Sequence, residues 1–105
     1  MFLIYFKGKT MKTLTLNYYQ DSGHGWVKAK LSLLQKLNIV DQISPYSYLR
    51  KDNVYLEEDC DLSRLYEALD KAGITLKLKE FCACEKRSKI RSYDSFNFRL
   101  FLGVQ

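Results

Sequence analysis

The pattern of apolar and polar side chains divides most of the chain into short strands and two helices. Alternation over residues 13–18 predicts a half-buried strand, because successive side chains of a strand point to opposite faces. A cluster of turn formers at 21–25 and a β-prone run at 26–29 make this strand the first half of a hairpin. Residues 46–49 and 54–57 flank a polar turn and predict a second hairpin.

Apolar residues spaced three and four positions apart predict two helices. The leucines within residues 31–37 indicate a helix of about two turns. A longer apolar stripe over residues 62–72 predicts the second helix, which Gly73 would stop. Asp59 and Asp61 lie at its amino end, where an aspartate can cap free N–H groups.

Alternation returns over residues 74–81, which gives the element order ββαββαβ. This order predicts an α+β fold, a small antiparallel or mixed sheet with two helices packed on one face. The length of 105 residues allows one domain, residues 1–105, and leaves no room for a second core. Residues 1–10 and 97–105 are expected to be peripheral extensions, and Met11 is a second candidate start, because it opens the strand more cleanly.

Composition places the chain among globular proteins, with 47% hydrophobic and 28% charged residues. The apolar run at residues 1–6 is too short for a membrane span and lacks the leading positive charge of a signal peptide. Three cysteines are an odd number, which favours free thiols in a reducing compartment over a disulfide framework. We therefore expect a cytoplasmic protein with no membrane partner.

An acidic run follows the second hairpin and contains Glu57, Glu58, Asp59 and Asp61. Such a run can bind a cation or steer a basic protein surface. It lacks the alternating ligands and central glycine of a calcium loop, so no metal site is expected. The simplest alternative is a strand end and a helix cap with solvated charges.

His24 is the only histidine, and it lies between two glycines that indicate a tight turn or a close backbone approach. Imidazole acid–base chemistry would have to use it, yet no nucleophile is spaced to serve it. Cys82 and Cys84 are closer in sequence than paired zinc ligands usually are, and on a strand they suit two buried thiols. Phosphate-binding loops and the common hydrolase and metalloprotease motifs are absent from the sequence. We expect no catalytic residues, no cofactor and no enzymatic activity.

A basic segment lies near the carboxyl terminus. The net charge of +5 is unevenly distributed, because carboxylates predominate in residues 57–70 and cations in residues 77–91. Cations beside aromatic rings can hold phosphates and stack bases, but a solvated face or a protein-binding surface fits equally well. The alternative function is therefore a small nucleic-acid-binding regulator, whose contact residues would be Lys86, Arg87, Lys89, Arg91 and Tyr93.

Five blocks, in this order, resemble a family of small proteins of uncharacterised function carried by bacteriophages, plasmids and other mobile elements. The resemblance covers about residues 13–96 and leaves out the two cysteines at 82 and 84. The blocks are His24-Gly25-Trp26-Val27, Leu33-Leu34-x-x-Leu37-x-Ile39, Ile43-Ser44-x-Tyr46-Ser47-Tyr48, Val54-Tyr55-Leu56-Glu57-Glu58-Asp59-x-Asp61 and Ser88-x-Ile90-Arg91-x-Tyr93.

The resemblance implies a non-catalytic accessory protein, a monomer or homodimer, that acts in the host bacterial cytoplasm. Small proteins of mobile elements, such as anti-CRISPR and anti-restriction proteins, often inhibit or redirect a host defence complex by direct binding. The acidic run would then mimic phosphate, and the tyrosines of the second hairpin would anchor the interface. The partner-binding residues expected on this reading are Tyr46, Tyr48, Tyr55, Glu57, Glu58, Asp59 and Asp61.

Overall fold

The computed structural model describes residues 12–83 and 86–97, and these form one mixed sheet with two α-helices. The predicted α+β class, both hairpins and both helices are confirmed, but the first strand of the second hairpin begins at Tyr48 and not at Tyr46, which lies in the turn before it. The expectations for residues 1–10, for Cys84 and for residues 98–105 lie outside the described part of the chain. In chain order the elements are β1 (Lys12–Gln20), β2 (Gly25–Lys30), α1 (Leu31–Lys36), β3 (Tyr48–Arg50), β4 (Asn53–Glu57), α2 (Leu62–Lys71), β5 (Ile74–Cys82) and β6 (Asp94–Ser95).

The strands lie in the order β5-β1-β2-β4-β3-β6. Hairpin connections make β1 and β2, and likewise β3 and β4, antiparallel neighbours. The chain then passes through α2 and adds β5 beside β1 in parallel, with Lys12 opposite Ile74 and Gln20 opposite Cys82. A parallel pair needs a long crossover, and α2 with its flanking turns supplies it. The sheet is mixed for this reason.

Both helices pack on one side of the sheet, which we call the helix face. Alternation along the strands directs Val27 and Ala29 of β2, and Val54 and Leu56 of β4, to this side. The apolar stripes of α1 and α2 bury Leu34, Leu65 and Leu69 against them. The result is a continuous hydrophobic core.

The ends of α2 differ in how closely they follow the sequence prediction. Gly73 has a φ of 75°, the left-handed conformation that favours glycine, and stops the helix as predicted. Asp61 is the residue that precedes the helix, but its side chain makes no capping hydrogen bond, so the predicted cap is wrong there. Its carboxylate turns away because it accepts hydrogen bonds from Ser44 and Ser47.

The opposite side of the sheet carries a second, smaller cluster, which we call the aromatic face. Trp26 and Tyr55 are buried there together with Ile90, which lies in a 3₁₀ turn at Lys89–Ser92. Ring contacts extend across the strands, with centroid separations between 5.1 and 6.4 Å. The rings of this face belong to Tyr19, Trp26, Tyr48, Tyr55, Phe81 and Tyr93.

Candidate functional site

A cleft of about 260 Å³ opens on the aromatic face, where β2 begins and β4 ends. On the opposite side of the sheet, the start of β2 fits closely against β1, because a Cβ at Gly25 would collide with the ring of Tyr18, which confirms the predicted close approach. The loop before β3 and the 3₁₀ turn after β5 form the remaining walls. The cleft is lined by His24, Trp26, Tyr46, Tyr48, Glu57, Asp59, Cys60 and Arg91.

One wall of the cleft is held by an ion pair between the buried Asp21 and the partly buried Arg91. The guanidinium donates through Nε and Nη2 to the two carboxylate oxygens, at 2.7 and 2.9 Å. The same carboxylate accepts from the backbone N–H groups of Gly23, His24 and Ser88. These donors, chiefly the guanidinium of Arg91, hold the pKa of Asp21 well below its usual range. Asp21 in turn raises the pKa of Arg91. The pair ties the β1–β2 turn to the 3₁₀ turn near the carboxyl terminus.

The floor of the cleft is the indole of Trp26, whose side chain is almost completely buried. The guanidinium carbon of Arg91 lies over the indole, 5.4 Å from its centre. The ring centres of His24 and Tyr48 are each 6.2 Å from the centre of the indole. The indole Nε1–H has no hydrogen-bond acceptor among the described residues. An orphaned buried donor costs free energy and is uncommon in folded proteins.

Glu57 forms the opposite wall and is only 6% exposed. One carboxylate oxygen accepts from the backbone N–H groups of Asp59 and Cys60, each at 2.9 Å. The other oxygen lies 3.2 Å from Nδ1 of His24. Glu57 therefore fixes the turn after β4 on one side and meets the only histidine on the other.

Asp61, in contrast, serves the fold. It is fully buried and accepts hydrogen bonds from the backbone N–H and hydroxyl of Ser44 and from the hydroxyl of Ser47. Ser47 also accepts from the backbone N–H of Glu57 through its hydroxyl. This network positions the loop that carries Tyr46, which projects to solvent with 69% of its surface exposed.

The remaining residues of the expected partner surface differ in accessibility. Tyr48 is half-buried in the cleft, and Asp59 is the exposed member of the acidic run. Glu58 accepts a hydrogen bond from the hydroxyl of Tyr18. Tyr55 is buried beneath Tyr93, and burial raises its pKa. Of the seven residues expected to bind a partner, Tyr46, Tyr48 and Asp59 reach the cleft from its accessible side.

The residues of the expected nucleic-acid surface also differ in accessibility. Lys86, Arg87 and Lys89 are exposed. Arg91 is bound to Asp21 as described, and Tyr93 packs on Tyr55 while the guanidinium of Arg50 lies 5.1 Å from its ring centre. The last two residues of the expected nucleic-acid surface therefore stabilise the aromatic face.

The two cysteines in the described part of the chain, Cys60 and Cys82, lie in different environments. Cys60 has a free thiol, as expected, and burial together with the carboxylate of Glu57 raises its pKa, so the neutral thiol predominates near pH 7. Cys82 is exposed at the end of β5 and is disulfide-bonded, so the expectation of a free, buried thiol is wrong for this residue.

Sequence reasoning missed Asp21 and Ser47, which organise the two walls. The turn Asp21-Ser22-Gly23-His24 carries the local signal for Asp21, because an aspartate side chain readily accepts from backbone N–H groups two and three residues later. Nothing local indicates that the same carboxylate also meets an arginine 70 residues away.

Comparison of the chain with protein-family models, with curated proteins and with solved structures finds no match. Among the described residues, no helix is long and apolar enough to cross a membrane. The cleft and the sequence blocks that surround it are therefore the features from which a function can be inferred.

Proposed function

We propose that this chain is a non-catalytic accessory protein of a phage or other mobile element that inhibits or redirects a host defence complex, such as a CRISPR–Cas complex, by direct binding. It acts in the host bacterial cytoplasm. The observation that carries the binding role is the aromatic cleft with the exposed ring of Tyr46 beside it. The choice of a host defence complex as the target comes from the resemblance to mobile-element proteins. It is an analogy with other proteins that mobile elements carry, and it does not come from the geometry of the cleft.

The chemistry of the cleft suits a protein ligand. Aromatic residues dominate the binding energy of protein interfaces, because they bury a large area and lose little conformational entropy. Tyr46 and Tyr48 present such rings, and Asp59 adds an exposed charge that favours a basic partner. The proposed contact set is these three residues, while Tyr55, Glu57 and Asp61 support them from beneath.

The positions of the sequence blocks in the fold also support the proposal. His24 and Trp26, Tyr46 and Tyr48, and Arg91 come from three separate blocks, and the fold gathers them around one cleft.

Several observations favour binding over catalysis. The carboxylates of Asp21 and Asp61 are occupied by hydrogen bonds from backbone and side chains of the fold. The thiol of Cys60, which lies at the cleft, has a raised pKa and is poorly suited to act as a nucleophile.

The test is capture of a partner from a bacterial host that carries an active defence system. The wild-type chain and Tyr66→Ala should recover the same protein in stoichiometric amount, since Tyr66 is an exposed tyrosine on α2 and serves as the matched control. Tyr46→Ala should weaken binding about tenfold or more, the effect of truncating an interface tyrosine. Recovery of no partner across several defence systems, or equal binding by Tyr46→Ala, would overturn the proposal.

A nucleic-acid-binding regulator is the second candidate, favoured by the exposed cations Lys86, Arg87 and Lys89. It predicts a gel shift that weakens with salt by about 0.9 log units per phosphate contact for each decade of concentration. Replacing all three cations with alanine should remove the shift. Binding that is independent of salt, or absent at low ionic strength, would eliminate this candidate.

A further inference from the structure

Three groups that commonly bind metals converge at the cleft. His24, Glu57 and Asp59 each offer one ligand atom, and these atoms lie within 4.8 Å of one another. Nδ1 of His24 is 3.2 Å from Oε2 of Glu57. Two ligand atoms that bind one tetrahedral Zn²⁺ at about 2.0–2.1 Å are separated by about 3.3 Å, so this pair already has the spacing of two zinc ligands.

The charge on Glu57 provides a second reason to place a cation here. The carboxylate is buried, and a buried charge requires a compensating partner. Among the described residues, the side chain that pairs with this carboxylate is His24. The nearby guanidinium of Arg91 is already paired with Asp21. A bound cation would place a positive charge directly beside the Glu57 carboxylate.

An independent observation comes from the floor of the same cleft. The indole Nε1–H of Trp26 is buried and lacks an acceptor in the described part of the chain. The ring lies 6.2 Å from that of His24. An oxygen ligand completing the coordination of a metal would be a suitable acceptor, whereas the three protein ligands leave this donor unpaired.

We infer that the cleft binds a divalent cation of the Zn²⁺ class through Nδ1 of His24, Oε2 of Glu57 and a carboxylate oxygen of Asp59. Imidazole favours Zn²⁺ and its transition-metal neighbours, whereas Mg²⁺ and Ca²⁺ prefer oxygen ligands alone. The fourth position belongs to water or to an oxygen atom of a bound molecule. The site does not depend on the proposed partner binding, and the isolated chain suffices to test it.

Backbone hydrogen bonds orient both sides of this site. The N–H groups of Asp59 and Cys60 fix Glu57, and Asp21 accepts from the N–H of His24 and so holds its backbone. Ligands held in place by outer hydrogen bonds bind metal more tightly than mobile ones. The linear spacing of the acidic run could not reveal this site, because His24 lies 33 residues before Glu57.

The experiment is a calorimetric titration of the full chain, free of any purification tag, with Zn²⁺ near pH 7.5. Wild type should show one saturable site. His24→Ala and Asp59→Asn should each weaken it about tenfold or more. Asp70→Asn removes an exposed carboxylate on α2 and should leave the affinity unchanged. A large excess of Mg²⁺ should not displace the bound Zn²⁺.

Fluorescence gives a second readout, because Trp26 is the only tryptophan. Co²⁺, which takes the same ligands, should quench its emission, and Zn²⁺ should reverse the quenching. His24→Ala should abolish the effect, while circular dichroism verifies that the variant remains folded. The absence of saturable Zn²⁺ binding, or Zn²⁺ binding by His24→Ala with wild-type affinity, would overturn the inference.

Discussion

The two faces of the sheet are built by different means. The helix face is a continuous apolar core in which alternate strand residues meet the stripes of α1 and α2. The aromatic face is held by ring contacts and by carboxylates that gather backbone donors from distant loops. Apolar packing depends on the amount of surface buried, whereas polar networks depend on every partner being in place. We therefore expect the helix face to set stability and the aromatic face to set binding.

The largest effect should follow a cavity on the helix face. Leu65→Ala removes a fully buried side chain of α2 and should lower the free energy of unfolding by about 2–5 kcal/mol. Tyr66→Ala, at the adjacent exposed position, should change it by about 0.5 kcal/mol or less. Urea denaturation followed by circular dichroism measures both. If the two substitutions changed the free energy of unfolding equally, α2 would not be the main support of the core.

The next largest effect should come from the polar network of the aromatic face. Asp21→Asn keeps the shape of the side chain but leaves the donors around it with a weaker acceptor, at a cost of about 2–3 kcal/mol. Asp41→Asn changes an exposed carboxylate and is the control. Fluorescence of Trp26 reports on this face and circular dichroism on the helices. If the variant loses both signals in one transition, the faces unfold together; separate transitions would mean that they are independent.

Acid should weaken the aromatic face through the same residue. The pKa of Asp21 in the folded chain is lowered from 3.8, so its ionised form stabilises the fold above that pH. This stabilisation is lost as the pH falls below about 4 and toward the lower folded pKa. Between pH 6 and pH 2, wild type should therefore lose more stability than Asp21→Asn. If the free energy of unfolding fell equally with pH in the two proteins, ionised Asp21 would not be the source of this stabilisation.

The smallest effect on stability should accompany the largest effect on partner binding. Tyr46→Ala alters a ring that is mostly solvated, so the free energy of unfolding should change by about 0.5 kcal/mol or less. Thermal unfolding of the purified variant checks this expectation. A marked loss of stability would mean that Tyr46 belongs to the fold, and its loss of binding would then need another explanation.

The helix face could be predicted from the sequence because its signals are local. Alternation around Val27 and Val54 and the stripe through Leu65 and Leu69 each lie within a single element. The hairpins also follow from short turns between complementary runs. The addition of β5 beside β1 depends on a crossover, which no pattern within either strand indicates.

The candidate site was predicted only in part, since its contacts join distant segments. The sequence indicated His24, Trp26 and the acidic run, but not that Glu57 would lie beside the imidazole. It placed Asp61 at a helix cap, whereas the nearby hydroxyl groups of Ser44 and Ser47 compete for that carboxylate. A buried carboxylate takes the donors that the tertiary fold brings to it, and single-sequence patterns do not contain that information.

The parallel pair of β1 and β5 has a consequence for synthesis of the chain. Lys12 is made before both hairpins and α2, and its neighbour Ile74 emerges only after them. Until then one edge of β1 exposes its backbone N–H and C=O groups, a template for pairing with other chains. A ribosome that pauses within α2 should thus leave a nascent chain prone to aggregation, and completion of β5 closes that edge.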